Sequence, residues 1–366
     1  MPARRVIAAA LATALASFTT VASATDGAFY GLLRSRDLTP FGFLRLDMRP
    51  AHAVQIEPGT WALETQLDYQ NTWALSPEVE TYLNRLAAQG RRELGIEDLH
   101  EIQALPGENY LVDIESALLD ITLHYKIATN WTGYVTASAV SYGGGLLDGV
   151  IEEFHDTFGF ASFGRPAVSR NDTNLIYDLQ GFQLAFFEPP TDGGWTDPTI
   201  GLRYTGLTLP EPWKMSIEAA AKVPVGEDDF LLSTGRTDYG MQISLQRLGH
   251  RHAFYIDAAG VYYAGAGQPL PQESKIVPTL ILGYEMQLTA NTNLNAQAYY
   301  SESVYSRETT NLKELLIDKY QLSVGLRHRR GPVLITFGFT ENLQNLNNTP
   351  DIGLQLGFAY IPHRRQ

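Results

Sequence analysis

The chain has no cysteine. Disulfide staples, thiol catalysis, cysteine zinc sites and a lipidated N-terminal cysteine are thereby excluded. Long apolar runs are missing too. Beyond the first 24 residues no stretch approaches the ~18 consecutive apolar residues of a membrane helix, so a helical membrane protein is excluded while a membrane β-barrel is not. Basic residues are scarce: 27 Lys and Arg stand against 40 Asp and Glu, a net charge of −13. A surface that acidic is unsuited to nucleic acid, and no nucleic-acid partner is expected. No G-x-S-x-G is present, and no phosphate-loop lysine follows the three glycines at 143–145. The histidines are scattered. The expectation is therefore a non-enzyme, with no catalytic residue, metal or cofactor.

What is present begins with an export signal. Arg4 and Arg5 supply the positive start, Val6 to Ala16 the apolar segment, and Ala22-Ser23-Ala24 the cleavage motif, giving a signal peptide over 1–24. Residues 25–59 are weakly patterned and form an N-terminal lead-in, either periplasmic or folded into a lumen. From residue 60 to 366 apolar and polar residues alternate with period two, the mark of half-buried strands. Leu63 and Leu67 oppose Glu64 and Asp68; Leu119 and Leu123 oppose Asp120 and His124; Leu280, Leu282 and Tyr284 oppose Gly283 and Glu285. Ser76-Pro77 opens a helix carrying Val79, Leu83 and Leu86 at helical spacing.

Alternation alone fits either a soluble sheet or a membrane barrel. Three features favour the barrel. The polar faces carry Gln, Ser, Thr and charges opposite bulky apolar faces. Connections alternate short (Leu248–Arg251, Thr289–Thr292, His328–Gly331) with long (Val225–Asp238, Ser303–Ile317). Trp61, Trp73, Trp131, Tyr142, Tyr262, Tyr263, Tyr299, Tyr300 and Tyr360 cluster near strand ends, as interface girdles do. The expected fold is all-β: an antiparallel transmembrane barrel of about 12–14 strands, with 12 favoured. Eight charges fall on its lumen side: Glu64, Asp68, Asp120, Lys126, Arg203, Glu218, Glu285 and Arg327, with Lys214 and Lys222 beside them. Mixed signs point to networks that brace a lumen more than to a single-sign filter.

One stretch breaks the pattern. Residues 143–166, GGGLLDGVIEEFHDTFGFASFGRP, have helical period and form an insert with a short amphipathic helix around 146–158, in the lumen or at its mouth. Leu147, Val150, Ile151, Phe154 and Phe158 share its apolar face; Asp148, Glu152 and His155 form a polar stripe. A strand near Ile176–Phe187 requires the chain to cross back between Gly143 and Leu175. Either Phe160–Arg170 hides a strand, or the insert threads the lumen as a plug.

Gly143–Phe160 resembles the Gly-Gly-Gly, Leu-Asp-Gly, Ile-Glu, Phe-His and Phe-Gly run of the domain of unknown function 3187 family, outer-membrane barrels of Gram-negative bacteria. Asp113-Ile114-Glu115 is a weaker match. Where that family often has Arg three residues after the Glu, Leu118 stands here. Gly194–Asp197 and Lys222–Gly226 resemble runs in barrels linked to uptake of hydrophobic aromatic compounds. Barrel-assembly signals commonly end on an aromatic residue; Tyr360 could serve, though Ile361–Gln366 follow it. The resemblance implies a cell outer membrane protein whose partners are outer-membrane lipid, the barrel-assembly machinery and an unidentified small-molecule solute. The functional expectation is passage or binding of a small apolar solute with 143–166 as plug. The alternatives are a closed structural barrel or an outer-membrane lipid hydrolase.

Overall fold

The computed structural model describes residues 29–39, 42–51, 58–159, 161–225, 231–265, 274–342 and 350–362. The expected signal peptide over 1–24, the first part of the lead-in and Phe160 lie outside the described residues.

The strands, in chain order, are β1 (Trp61–Leu75), β2 (Asn109–Ala128), β3 (Trp131–Gly143), three short ones, β4 (Asn174–Leu179), β5 (Phe182–Phe186) and β6 (Gly193–Trp195), then β7 (Thr199–Tyr204), β8 (Trp213–Lys222), β9 (Asp238–Leu248), β10 (His252–Tyr263), β11 (Lys275–Thr289), β12 (Thr292–Ser301), β13 (Lys319–Arg330), β14 (Val333–Asn342) and β15 (Ile352–Tyr360). Twelve of the described strands form one closed antiparallel barrel in the order β1-β2-β3-β7 and then β8 to β15. Closure is β1 against β15, with Leu63 opposite Tyr360 and Asn71 opposite Ile352.

The barrel is inside out relative to a soluble sandwich. Leu67, Leu123, Ile243, Leu282, Phe337 and Leu356 are exposed on its outer face, while Gln66, Thr122, Gln242, Asn295, Gln297 and Gln355 are buried inside. A belt of bulky apolar side chains facing outward around a polar interior is stable in hydrocarbon and not in water. Trp61 rests on Tyr125 and Trp131 on Tyr204 at the short-turn end, with ring centroids 4.3 and 4.7 Å apart. Not every aromatic read as girdle belongs to it. Trp73, Tyr142, Tyr263 and Tyr299 are buried, because their stretches of strand rise into the covered, long-loop end of the molecule or face the lumen.

The expected crossing back after β3 does not occur. β4 and β5 make a hairpin that pairs with the upper end of β2, Leu111 opposite Ile176, and neither joins the closed ring. The next wall strand, β7, lies directly against β3, Trp131 opposite Tyr204. The period-two run at Ile176–Phe187 is thus a genuine hairpin outside the barrel, and no return passage is required.

At the long-loop end β1 and β2 continue beyond the barrel as a two-faced extension. Helices α1 (Pro77–Ala87) and α2 (Ile96–Gln103) cover its outer face around Trp73, Leu83, Ile102, Leu111 and Ile176. Pro77 at the first position and Glu78 and Glu80 in the first turn explain where α1 starts. The inner face carries Tyr110, Ile114, Leu175 and Tyr177, which pack over the mouth against Val304, Tyr305 and Leu315, the last in helix α4 (Lys313–Leu316). The hydroxyls of Tyr177 and Tyr305 are 3.0 Å apart, so this extension roofs the barrel from β2 to the β12–β13 loop.

Candidate functional site: a filled lumen and a clasp at its rim

Residues 29–39 and 42–51 occupy the lumen. The segment enters at the short-turn end, where the Tyr30 and Gly31 N–H groups donate to Glu285 at 2.8 and 3.1 Å. It climbs past Gln297, whose amide donates to the Leu33 carbonyl at 3.2 Å, and past Ser323, 3.1 Å from the Ser35 hydroxyl. Near the top Asp37 pairs with Lys319. The tip, Leu38, Phe43 and Leu44, packs under the roof, with the Phe43 ring 6.0 Å from Tyr142. The chain then descends. Arg45 pairs with Asp238 at 3.2 Å, and the Gln242 amide donates to the Arg49 carbonyl at 3.1 Å.

Four of the eight wall charges read from the sequence, Glu64, Asp120, Glu285 and Arg327, bond this inner hairpin. Asp120 receives Arg36 at 3.2 Å and Arg49 at 2.7 Å. Glu64 faces Arg34 at 3.5 Å. Arg327 donates to the Tyr30 and Leu32 carbonyls at 2.6 and 2.9 Å. Asp68 accepts from Gln66 and Gln355, and Arg203 pairs with Glu218 at 2.6 Å within the wall. Lys126 is buried near the short-turn end. Lys214 departs from its reading: it is exposed beside the short turn and pairs with Glu211, because β8 begins there. Between the hairpin and β3, β7 and β8 remains a cavity of about 30 Å³ lined by Arg34, Arg36, Arg45, Arg49, Asp197 and Lys222, room for a water or two. β7 is the shortest strand of the ring, and β6 covers the wall of β3 above it.

The plug is thus not the insert. Residues 143–159 and 161–166 sit at the rim on the outer side of β1 and β2, and the lumen belongs to 29–39 and 42–51. Helix α3 (Asp148–Phe158) also faces the other way from the expectation. Its polar stripe turns toward the protein: Asp148 accepts from Arg165 at 2.7 Å, Asn71 at 3.2 Å and the Asn171 N–H at 2.9 Å. Glu152 holds Arg91 and Arg170. Burial alone would raise the Glu152 carboxyl; the hydrogen bonds from Arg170 and Arg91 outweigh it and hold the group below the usual glutamate range. His155 is half-buried on the same side. Of the apolar face, Ile151 is buried and Leu147 half-buried, whereas Phe154 and Phe158 are exposed. The polar stripe wins the inward position because Arg91, Arg165 and Arg170 are there to meet it.

A clasp ties the insert to β2. The Glu115 carboxylate accepts the Leu146 and Leu147 N–H groups at 2.8 and 2.7 Å, and the Asn71 amide at 3.0 Å, with Tyr69 donating to it as well. Gly145 has φ +83°, and a Cβ there would fall on the Glu115 carboxyl group. That explains the glycine run: the chain must both turn left-handed and let a carboxylate approach its backbone. The two stretches that resembled the outer-membrane family therefore meet in space. Glu115 is satisfied by these donors with Leu118 in place of the family's Arg, and Arg165 supplies the nearby cation to Asp148 and Asp351.

Sequence reading missed Arg34, Arg36, Asp37, Arg45 and Arg49. A signal existed: four of the scarce basic residues crowd into 34–49 of an acidic chain. His124, considered for hydrolysis, is enclosed in the lumen, 3.5 Å from Glu64 and beyond the reach of lipid.

A closed twelve-strand ring with an apolar exterior, a polar interior and long loops at one end is the fold of an outer-membrane barrel protein. The chain belongs to the family described as "Protein of unknown function (DUF3187)", whose model matches residues 9–361. Among solved structures it is similar to the COG4313 outer membrane channel from Pseudomonas putida F1, at 9% identity and TM-score 0.52, covering 86% of this chain and 99% of that one. It is also similar to the P. putida toluene transporter TodX, at 9% identity and TM-score 0.40, covering 84% and 92%. No curated protein matches the chain.

Proposed function

We propose that the protein is a gated outer-membrane channel for small polar solutes, with residues 29–51 as the gate. One observation carries this reading. The lumen wall is built of amides, hydroxyls and charges, and what fills it is a separate segment held largely by ion pairs and side-chain hydrogen bonds. A buried ion pair roughly breaks even against hydration when both partners are released together, and only stranding one partner is costly. A wall of this chemistry suits a hydrated solute better than the apolar one expected from the resemblance. The exposed Tyr360, last residue of β15, is the aromatic group we assign to recognition by the barrel-assembly machinery.

The test is conductance and sugar-driven liposome swelling with three forms: the unaltered chain, a chain lacking 29–51, and S35C/S323C. The two serine hydroxyls are 3.1 Å apart in a chain free of other cysteines, so a disulfide between them would pin the segment to β13. The expected result is passage through the chain lacking 29–51 and permanent closure of the oxidised double variant. If the folded chain lacking 29–51 is as impermeable as the unaltered one, the barrel is a closed structural element.

A further inference from the structure

Helix α3 has three distinct sides, because residues advance about 100° per position. Asp148, Ile151 and Glu152 are packed on the protein. Glu153 and Asp156 face outward as a polar side. Between these lies a stripe spaced four residues apart, Val150, Phe154 and Phe158, respectively 62%, 44% and 65% exposed, and Leu146, in the bend just before the helix, is 78% exposed. The Phe154 and Phe158 rings lie tilted against each other, with centroids 4.7 Å apart.

The stripe's height on the barrel is fixed by the clasp. Along the outer face of β2, Leu123 and Leu119 are exposed to lipid, Ala117 is intermediate, and burial under the insert begins at Glu115. On β1 the same change runs from exposed Leu67 through intermediate Tyr69 to buried Asn71. Glu115 is the residue that holds the N–H groups of Leu146 and Leu147. At ~3.3 Å per residue the start of α3 lies about 13 Å along the strand from Leu119. The exposed apolar stripe is therefore continuous with the upper edge of the lipid-facing belt.

We infer that α3 is an interfacial anchor: its Leu146–Val150–Phe154–Phe158 stripe lies in the outer leaflet, at the boundary between headgroups and acyl chains. Its polar side meets headgroups and water, and Asp148, Glu152 and Glu115 hold it to the barrel rim. The occupant of the stripe is lipid acyl chain, which matches its aromatic and aliphatic chemistry and its continuity with the belt. This assignment is independent of whether the lumen conducts.

The test uses single cysteines in the full chain, Val150→Cys or Asp156→Cys, each carrying an environment-sensitive fluorophore. The proteins are reconstituted in phosphatidylethanolamine–phosphatidylglycerol vesicles containing acyl-brominated lipid. The expected result is loss of emission to the brominated chains at position 150, with position 156 quenched instead by aqueous iodide. Leu146→Cys gives a second reading on the same stripe should Val150→Cys fold poorly. Equal iodide quenching at 150 and 156 overturns the inference. So does protection of position 150 that appears in detergent micelles only as protein concentration rises, which would mean a second copy covers the stripe.

Discussion

Replacing Asp120 by Asn should release the inner hairpin without unmaking the barrel. Asp120 is 1% exposed and is the shared partner of Arg36 and Arg49, one from each leg of the hairpin. Asn keeps the shape and can still meet Ser138, but two buried guanidinium groups then face a neutral amide. Removing one member of a buried ion pair costs about 3–5 kcal/mol, mostly for the charge left behind. The wall itself loses little, since β2 keeps its full ladder to β1 and β3. The cost falls on the docked hairpin. At ~1.4 kcal/mol per decade, even the lower bound shifts the docked–undocked equilibrium by about two orders of magnitude. Single-channel recording should then show an open fraction raised by about a hundredfold. Adding Arg36→Gln and Arg49→Gln to Asp120→Asn should restore much of the closure, because no charge is left stranded. Adding the oxidised S35C/S323C pair should abolish the openings altogether. A folded Asp120→Asn protein as closed as the unaltered chain would refute the reasoning. So would openings that persist under the disulfide, since those would come from a damaged wall.

Four further outcomes follow from other parts of the molecule. Leu282→Arg places a charge mid-way along β11 on the lipid face and should cost about 2–4 kcal/mol, read as a lowered urea midpoint for folding into vesicles. Gly145→Ala forces a non-glycine residue to φ +83° and drives its Cβ into Glu115; a cost of about 1–3 kcal/mol should appear as faster trypsin cleavage after Arg170. Glu115→Gln weakens the acceptor of two N–H groups and should loosen the same insert with conductance unchanged, by the same proteolysis. Glu152 and Asp98 are both held below their ordinary values, Asp98 because hydrogen bonds from Arg92, Tyr82 and Gly95 outweigh its burial. A depressed carboxylate stabilises above its unfolded value and loses that contribution as pH falls through the folded one. Amide protection of α2 and α3 should therefore be flat above about pH 5 and decline below about pH 4.

The barrel was legible because lipid imposes a two-residue period on every wall strand, and Leu282 or Leu123 reports its own side of the sheet without knowledge of its neighbours. The hairpin at Ile176–Phe187 shows where that logic stops. Period two reports a strand with two unlike faces, and the β4–β5 hairpin, with the extension's covered outer face on one side and the roofed mouth on the other, satisfies it without crossing a membrane. Misplacing it created the demand for a return passage, and the helical insert was the nearest segment to supply one. The true plug carries no period at all. A chain that threads a polar tube is surrounded by wall on every side, so successive residues need not alternate: Leu32 and Leu33 are both buried, and so are Arg34, Ser35 and Arg36. What such a segment does need is charge opposite to the wall's. Four of the basic residues of an acidic chain lie between 34 and 49, and the carboxylates of β1, β2 and β9 await them. Absence of pattern beside a concentration of the rarer charge was the readable sign of a segment meant for the inside of the barrel.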